Sequence, residues 1–251
     1  MKAMILAAGY GTRLKPITDD IPKALVKING ITLLENAIKT VSRFGFDEII
    51  INVHHFSEKV KEFIKENKFP VKITISDESE KLLDTGGGLK KASWFFNDED
   101  FLLYNVDIVS DINLEKMLEQ HRNNPSIATL AVRKRESARY LLFNDNNILC
   151  GWESVKSNQE IIKRIAEKYT PMAFSGIHII NSKIFQLMPK ENKFSIIKLY
   201  LEIANSNRLQ SFDHSNSLWI DAGKIKGLKL AKNIATQNTK NYTKSQEKVE
   251  D

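Results

Sequence analysis

Strand-like runs and helix-spaced segments alternate through the first 75 residues, and this alternation narrows the available folds more than any other feature of the chain. Met1-Lys2-Ala3-Met4-Ile5-Leu6 is short, apolar and bounded by small residues, which reads as a buried strand. From Leu33 to Phe44, the residues Leu33, Leu34, Ala37, Ile38, Val41 and Phe44 recur at helical spacing, and Gly45 is a natural stop. Glu48-Ile49-Ile50-Ile51-Asn52-Val53 is a β-branched run and reads as a second strand. Ser57 is placed to cap a helix through Val60, Phe63 and Ile64 that ends before Pro70. Val71, Ile73 and Ile75 alternate as a third strand. This order predicts an α/β domain with a mixed, mostly parallel sheet flanked by helices.

The remainder extends the pattern and then changes texture. Gly86, Gly87 and Gly88 run into a helical Leu89–Phe96, and Asp100–Asp107 reads as a strand that ends on a carboxylate. A helix over Asn113–His121 and a strand over Ile127–Val132 follow. From Arg139 onward, Tyr140–Phe143 and Ile148–Trp152 flank the polar Asn144–Asn147, the mark of an antiparallel hairpin. Glu153–Thr170 is polar and shows no clear element; Ala173–Ile180 reads as a strand returning to the core. Helices over Lys183–Leu187 and Ile196–Ala204, a strand over Ser217–Asp221 and a last helix over Lys224–Ile234 complete the reading. With no repeat and no Pro/Ser-rich linker, the expectation is one domain over 1–234, a substrate-binding elaboration at about 135–180, and a disordered polar tail over 235–251.

Composition excludes several classes. Lys and Arg total 37 against 31 Asp and Glu, a formal charge of +6 that favours anionic ligands. The cations are scattered and not interleaved with aromatics, so no nucleic-acid groove is expected. No apolar run approaches the roughly 20 residues of a membrane span, and the N-terminal run is too short for a secretory signal, so a cytoplasmic location is expected. Cys150 is the single cysteine, which excludes an internal disulfide and a cysteine metal site and suggests a small buried residue.

Ligands of open α/β sheets gather at the carboxyl ends of the strands. There the first strand runs into Ala8-Gly9-Tyr10-Gly11-Thr12-Arg13, a loop whose bare backbone N–H groups suit phosphate oxygens. Arg13 and Lys23 add two fixed cations, and Asp107 and Asp221 end two later strands. Paired carboxylates beside a phosphate loop suit Mg²⁺, which would bridge them to substrate phosphates. An attacking phosphate needs no side-chain nucleophile; it must be held in line while charge is offset, and Arg13 and Lys23 can do both. Each piece alone has a plainer reading. Gly9-x-Gly11-x-Arg13 is neither a P-loop nor a dinucleotide fingerprint and could be a simple turn. Arg13 and Lys23 could be surface charges, Asp107 a helix cap, Asp221 a turn residue, and Gly86–Gly88 a flexible loop. His54 and His55 lack a third metal ligand at useful spacing, and Trp94, Trp152 and Trp219 read as packing residues.

The pieces together, in order, resemble the sugar-1-phosphate nucleotidyltransferases. The match runs from Lys2 through Ala8-Gly9-x-Gly11-Thr12-Arg13-Leu14 and Pro22-Lys23. It continues at Leu83-Asp84-Thr85-Gly86-Gly87-Gly88, Asn105-Val106-Asp107, Phe174-Ser175-Gly176-Ile177 and Trp219-Ile220-Asp221-Ala222-Gly223, over about residues 1–234. Within the family the chain is most similar to N-acetylmuramate-1-phosphate uridylyltransferases and short mannose-1-phosphate guanylyltransferase-like enzymes. The resemblance implies a Rossmann-like fold with a small antiparallel sugar-binding elaboration. It implies the Mg²⁺-dependent reaction of an NTP with a sugar 1-phosphate to give an NDP-sugar and pyrophosphate. It also implies that Ala8, Gly9, Gly11, Thr12 and Arg13 wrap the nucleotide, with Arg13 on the departing pyrophosphate and Lys23 on the phosphates. Gly86 and Gly87 would lie near base and ribose, Asn105 would reach nucleotide or sugar, Ser175 and Gly176 would line the sugar pocket, and Asp107 and Asp221 would hold Mg²⁺.

Two departures stand out. Many relatives have glycine where this chain has Val106, and valine does not suit a positive φ. A second lysine for the sugar phosphate is not identifiable among Lys163, Arg164 and Lys168. Uridylyl transfer to an N-acetylhexosamine-type phosphate is favoured, with guanylyl transfer to mannose 1-phosphate as the main rival. Cytidylyl transfer to phosphocholine is a further one, for which Tyr140, Trp152 and Phe174 would supply an aromatic cage. A non-catalytic nucleotide-binding regulatory module is the alternative outside the enzymes. A monomer or a homodimer fits the sequence equally well.

Overall fold

A computed structural model describes residues 1–234. In chain order its elements begin with β1 (Lys2–Leu6), the short ribbon β2 (Lys27–Ile28) and β3 (Ile31–Thr32), and α1 (Leu33–Ser42). Next come β4 (Glu48–Val53), α2 (Ser57–Glu66), β5 (Lys72–Asp77), α3 (Asp84–Lys91), β6 (Phe101–Asn105), β7 (Ile108–Ser110), α4 (Leu114–Asn123) and β8 (Ala128–Arg133). The second half holds β9 (Arg139–Phe143), β10 (Leu149–Ser154), β11 (Gln159–Ile162), β12 (Thr170–Ile180), α5 (Ile196–Ile203), β13 (Leu209–Asp213), β14 (Trp219–Asp221) and a last helix over 225–234.

The main sheet has ten strands, and β1 lies inside it between β4 and β6, parallel to both. Side chains alternate across a strand, and β1 shows the consequence. Ala3 and Ile5 join Leu34, Ile38 and Val41 of α1 in one core, while Met4 and Leu6 join Leu89 of α3 and Leu199 of α5 in the other. With both faces covered, β1 must be apolar where it is buried, as Ala3, Met4, Ile5 and Leu6 are. The β5-β4-β1-β6 block is parallel, and β12 then runs antiparallel to β6 and to β8, making the sheet mixed.

β12 joins the parallel half of the sheet to the antiparallel strands β9–β11. Ile177–Ile180 pair with β6, whereas Thr170–Met172 pair with β9, which continues antiparallel into β10 and β11. The change of direction falls at Gly176, whose φ is +78° and whose position leaves no room for a Cβ beside Asn105 Nδ2.

Several local expectations change. Ser57 does not cap α2: Phe56 occupies that position at φ +53°, and the Ser57 hydroxyl pairs with Ser79 Oγ at 3.0 Å. Gly86–Gly88 lie within α3, because they pack too closely for side chains against the 192–194 segment and the Asn52–Glu78 pair. Residues 182–187 form a 3-10 segment, and the polar 153–170 stretch contains β11. β13, absent from the sequence reading, adds in parallel to β8. Trp94 is 66% exposed and so is not a core residue. Cys150 is buried, as expected. Among the described residues no helix is long and apolar enough to cross a membrane. The tail expected to be disordered, 235–251, lies outside the described residues.

Candidate active site

The loops that follow β1, β4 and β5 are tied together by one buried network. Ala7 N–H donates to Asn52 Oδ1 at 2.8 Å, and Asn52 Nδ2 donates to Glu78 Oε1 at 2.7 Å. Leu83 N–H, one residue before α3, donates to Glu78 Oε2 at 3.1 Å. Burial pushes the Glu78 carboxyl up, although Asn52 and the Leu83 N–H favour its ionised form. The sequence reading missed both residues; a polar Asn52 in an otherwise apolar strand was the available signal. Asn52→Ala leaves the buried Ala7 N–H and the Glu78 carboxylate short of partners. It is expected to cost about 2 kcal/mol, read as a lowered denaturation midpoint.

Above this network lies a cleft of about 220 Å³, walled by Ala8, Gly9, Arg13, Lys23, Asn105 and Asp107 and closed on the far side by Leu82, Asp84 and Thr85. Gly11 folds the loop back, its carbonyl accepting from Leu14 N–H and Thr18 Oγ1, both at 2.8 Å. Thr12 opens an exposed 3-10 turn that carries Arg13. Lys23 passes over Gly9, with Nζ 3.6 Å from where a Cβ would stand. Asp84 holds φ +63°, a strained value for a side-chain-bearing residue, and its Oδ1 accepts from Thr85 N–H. Gly86 and Gly87 do not line this cleft. Their N–H groups both donate to Phe194 O, at 2.9 and 3.1 Å, so they seat α3 on the chain before α5.

The two carboxylates meet through a ribbon that local sequence does not reveal. β7 pairs antiparallel with β14, Asp221 faces Ile108, and Ala222 N–H donates to Asp107 O at 2.9 Å. A Cβ on Gly223 would run into Asp107 Oδ2 and come within 3.0 Å of Asp221 Oδ1, so both carboxylates converge over this glycine. Three cations surround them. Lys23 Nζ lies 2.9 Å from Asp107 Oδ2, and Lys224 Nζ lies 2.9 Å from Asp221 Oδ2. Arg13 spans the pair, with Nη1 3.3 Å from Asp221 Oδ2 and Nη2 3.7 Å from Asp107 Oδ2. Burial pushes the Asp221 carboxyl up, but Lys224, Arg13 and the Gly223 N–H outweigh it and hold it below the usual range. Lys224 was not anticipated as part of this cluster. Val106 does not take a positive φ; it is buried, and its N–H donates to Leu6 O at 3.2 Å.

Oxygen donors converging from two chain segments suit a hard divalent ion, which often takes one or two protein carboxylates and completes its shell with water and phosphate. No cluster of three or more His, Cys, Asp or Glu able to hold a metal occurs among the described residues. Asp107 and Asp221 alone therefore fit Mg²⁺ only as a substrate-completed site.

On the other side of Asn105 stand Ser175 and Gly176. The Ser175 hydroxyl is buried 2.7 Å from His214 Nε2, and its carbonyl accepts from Trp219 Nε1 at 2.9 Å, so its backbone and not its hydroxyl borders the open side. Burial mainly pushes His214 down to about 4, leaving the imidazole neutral near pH 7. Beyond Phe174, a cavity of about 420 Å³ lies between the β9–β10 hairpin and α5, walled by Tyr140, Leu141, Trp152 and Leu201 with Arg139 and Lys198. Of the three basic residues considered for the sugar phosphate, Arg164 is spent on the carbonyls of Ala204, Asn205 and Asn207. Lys163 and Lys168 are exposed.

Comparison with known proteins places the chain in a family. The family model described as nucleotidyl transferase matches residues 2–238, and the chain belongs to that family. It is 27% identical over 242 residues to a UTP--glucose-1-phosphate uridylyltransferase of Synechocystis, covering 90% of this chain and 61% of that protein. It is 26% identical over 226 residues to an N-acetylmuramate alpha-1-phosphate uridylyltransferase of Caulobacter vibrioides, covering 88% and 91%. The chain thus spans about three fifths of the first relative's length and nine tenths of the second's. Among solved structures, HddC of Yersinia pseudotuberculosis complexed with GMP-PN superposes with a TM-score of 0.75 at 23% identity, over 92% of this chain and 98% of that one. That likeness shows the α/β fold.

Proposed function

We propose that this chain transfers a nucleotidyl group from an NTP to a sugar 1-phosphate, releasing an NDP-sugar and pyrophosphate. The convergence of Asp107 and Asp221 over Gly223, spanned by Arg13 and flanked by Lys23, carries the reading. The family match and the uridylyltransferase relatives support it. An oxygen of the acceptor phosphate attacks the α-phosphorus; the new P–O bond forms as the bond to the β-phosphate oxygen breaks, and pyrophosphate leaves. The loop Ala8–Arg13 cradles the triphosphate, Lys23 offsets charge growing around the α-phosphorus, and Arg13 steadies the departing pyrophosphate. Mg²⁺, when held by Asp107 and Asp221, supplies further neutralisation of phosphate charge. Asn105 orients nucleotide or sugar from the end of β6, and Gly86 and Gly87 act through the placement of α3.

UTP is the favoured donor and GTP the rival. For the acceptor, the cavity beyond Phe174 brings Tyr140, Trp152 and Phe174 together, as a choline cage would need. Its charged lining residues, however, are Arg139 and Lys198, which repel a quaternary ammonium and favour a sugar. Pyrophosphate release from four NTPs against several sugar 1-phosphates and phosphocholine, with and without Mg²⁺, tests the reading. Release is expected for a sugar phosphate with UTP or GTP and only with the metal. NTP binding with no release from any pair would leave a regulatory nucleotide-binding module instead.

A further inference from the structure

In the proposed reaction Arg13 and Lys23 serve the triphosphate, so the acceptor phosphate needs a cation of its own. The acceptor phosphate must approach a triphosphate of the same sign. Arg13, Lys23 and Lys224 are each already paired with Asp107 or Asp221. We infer that Arg135, which follows β8, grips the acceptor's phosphate and sets it against the nucleotide. This rests on the nucleotidyl-transfer reading.

The position comes from three contacts. The Arg135 guanidinium carbon stands 4.4 Å from the Trp219 ring centroid. Trp219 and Asp221 are alternate residues of β14 and share a face. Arg135 Nη2 donates to Phe174 O at 3.0 Å, and Phe174 also walls the apolar cavity. The charged head therefore stands near both the Asp221 end of β14 and the Phe174 wall of that cavity. An acceptor could place its phosphate at Arg135 and its sugar beside Phe174.

The donors are only partly spent. Nη1 donates to Glu136 O at 3.2 Å, and Nε is buried with no partner. One N–H on each terminal nitrogen remains for an incoming oxyanion. A half-buried guanidinium normally seeks a carboxylate, because desolvating it unpaired is unfavourable. No ion pair forms at Arg135 among the described residues. Burial pushes its pKa down, and Asp221 supports its charge only at longer range. Neighbouring Arg133 also has a buried, unpartnered Nε, but its terminal nitrogens donate to Ser217 O at 3.2 Å and Ser215 O at 3.1 Å, tying it to the turn before β14, and it stands farther from the Trp219 ring, at 5.8 Å. Trp219 is itself pinned through Nε1 to Ser175 O. The stack thus holds a planar fork ready for phosphate, which a flexible lysine would not match.

The test uses the full chain with glucose 1-phosphate, mannose 1-phosphate and inorganic phosphate as probes. Arg135→Gln is expected to raise the acceptor KM roughly 10- to 100-fold and to leave the NTP KM within about threefold, since the donor-side cations are untouched. Arg135→Lys keeps the charge and loses the fork, so it recovers only part of the loss, and thermal denaturation confirms that both variants fold. Independently of turnover, sugar phosphate or phosphate should change the tryptophan fluorescence of the native chain. That response should vanish in Arg135→Gln and in Trp219→Phe. Turnover by the native chain with acceptor KM unmoved in Arg135→Gln, or NTP KM raised equally, overturns the Arg135 assignment and leaves the function standing. A fluorescence response that depends on Arg135 without any turnover supports the anion site and overturns the function. Neither response nor turnover overturns both.

Discussion

Asp107→Asn is expected to lower kcat for pyrophosphate release by about three orders of magnitude while the chain still folds. Asparagine has the same shape, so the β6–β7 corner and the Ala222 N–H bond to the residue's carbonyl survive. What disappears is one of the two charges that converge over Gly223, together with the partner of Lys23 at 2.9 Å. Breaking a buried ion pair is strongly destabilising, but Lys23 keeps a path to solvent, so a loss of about 2 kcal/mol is expected. Steady-state kinetics over a Mg²⁺ titration, paired with thermal denaturation, separates the two effects. Turnover within a few-fold of the native chain would show that Asp107 is not a metal ligand.

Gly223→Ala is expected to lower kcat about 100-fold while the chain still folds, with a melting temperature lowered no more than by Asp107→Asn. The added Cβ meets the tip of the Asp107 side chain and the edge of the Asp221 carboxylate, not backbone. The Asp107 carboxylate must swing aside, which strains its ion pair with Lys23 but leaves the backbone in place. Its displacement nonetheless breaks the convergence that Arg13 spans and that would hold Mg²⁺ in the proposed reaction, where an ångström of misplacement is enough for such a loss. The prediction is checked by kcat and melting temperature measured on one preparation. Unchanged turnover, or unfolding in place of inactivation, would remove the geometric argument for the site.

These two positions show what was legible beforehand. Asp107 and Asp221 could be named because each ends a β-rich run, where α/β sheets bind ligands. Gly223 looked like an ordinary turn residue, and only the β7–β14 ribbon shows what presses on it. Arg13 and Lys23 were readable from a loop with a characteristic order, whereas Lys224 is one lysine among many until its Nζ is seen on Asp221. Ser175 was read as a pocket residue, but its hydroxyl faces His214, a residue on the far side of β13 in sequence. β13 itself was missed because Leu209–Asp213 is short and holds only two apolar residues, Leu209 and Phe212, with no period-two alternation.

The local alphabet of the chain therefore carried the α/β class and marked out the loop after β1 and the two carboxylates that the fold brings together over Gly223. Periodicity, glycine placement and strand-end position are properties of neighbouring residues, and such properties survive in one dimension. Tertiary structure alone decided which charges meet: Lys224 on Asp221, Asn52 on Glu78, Arg135 over Trp219. Those pairings span residues distant in sequence, and their strength depends on separation and on exclusion of water, both of which exist only once the sheet has brought the segments together.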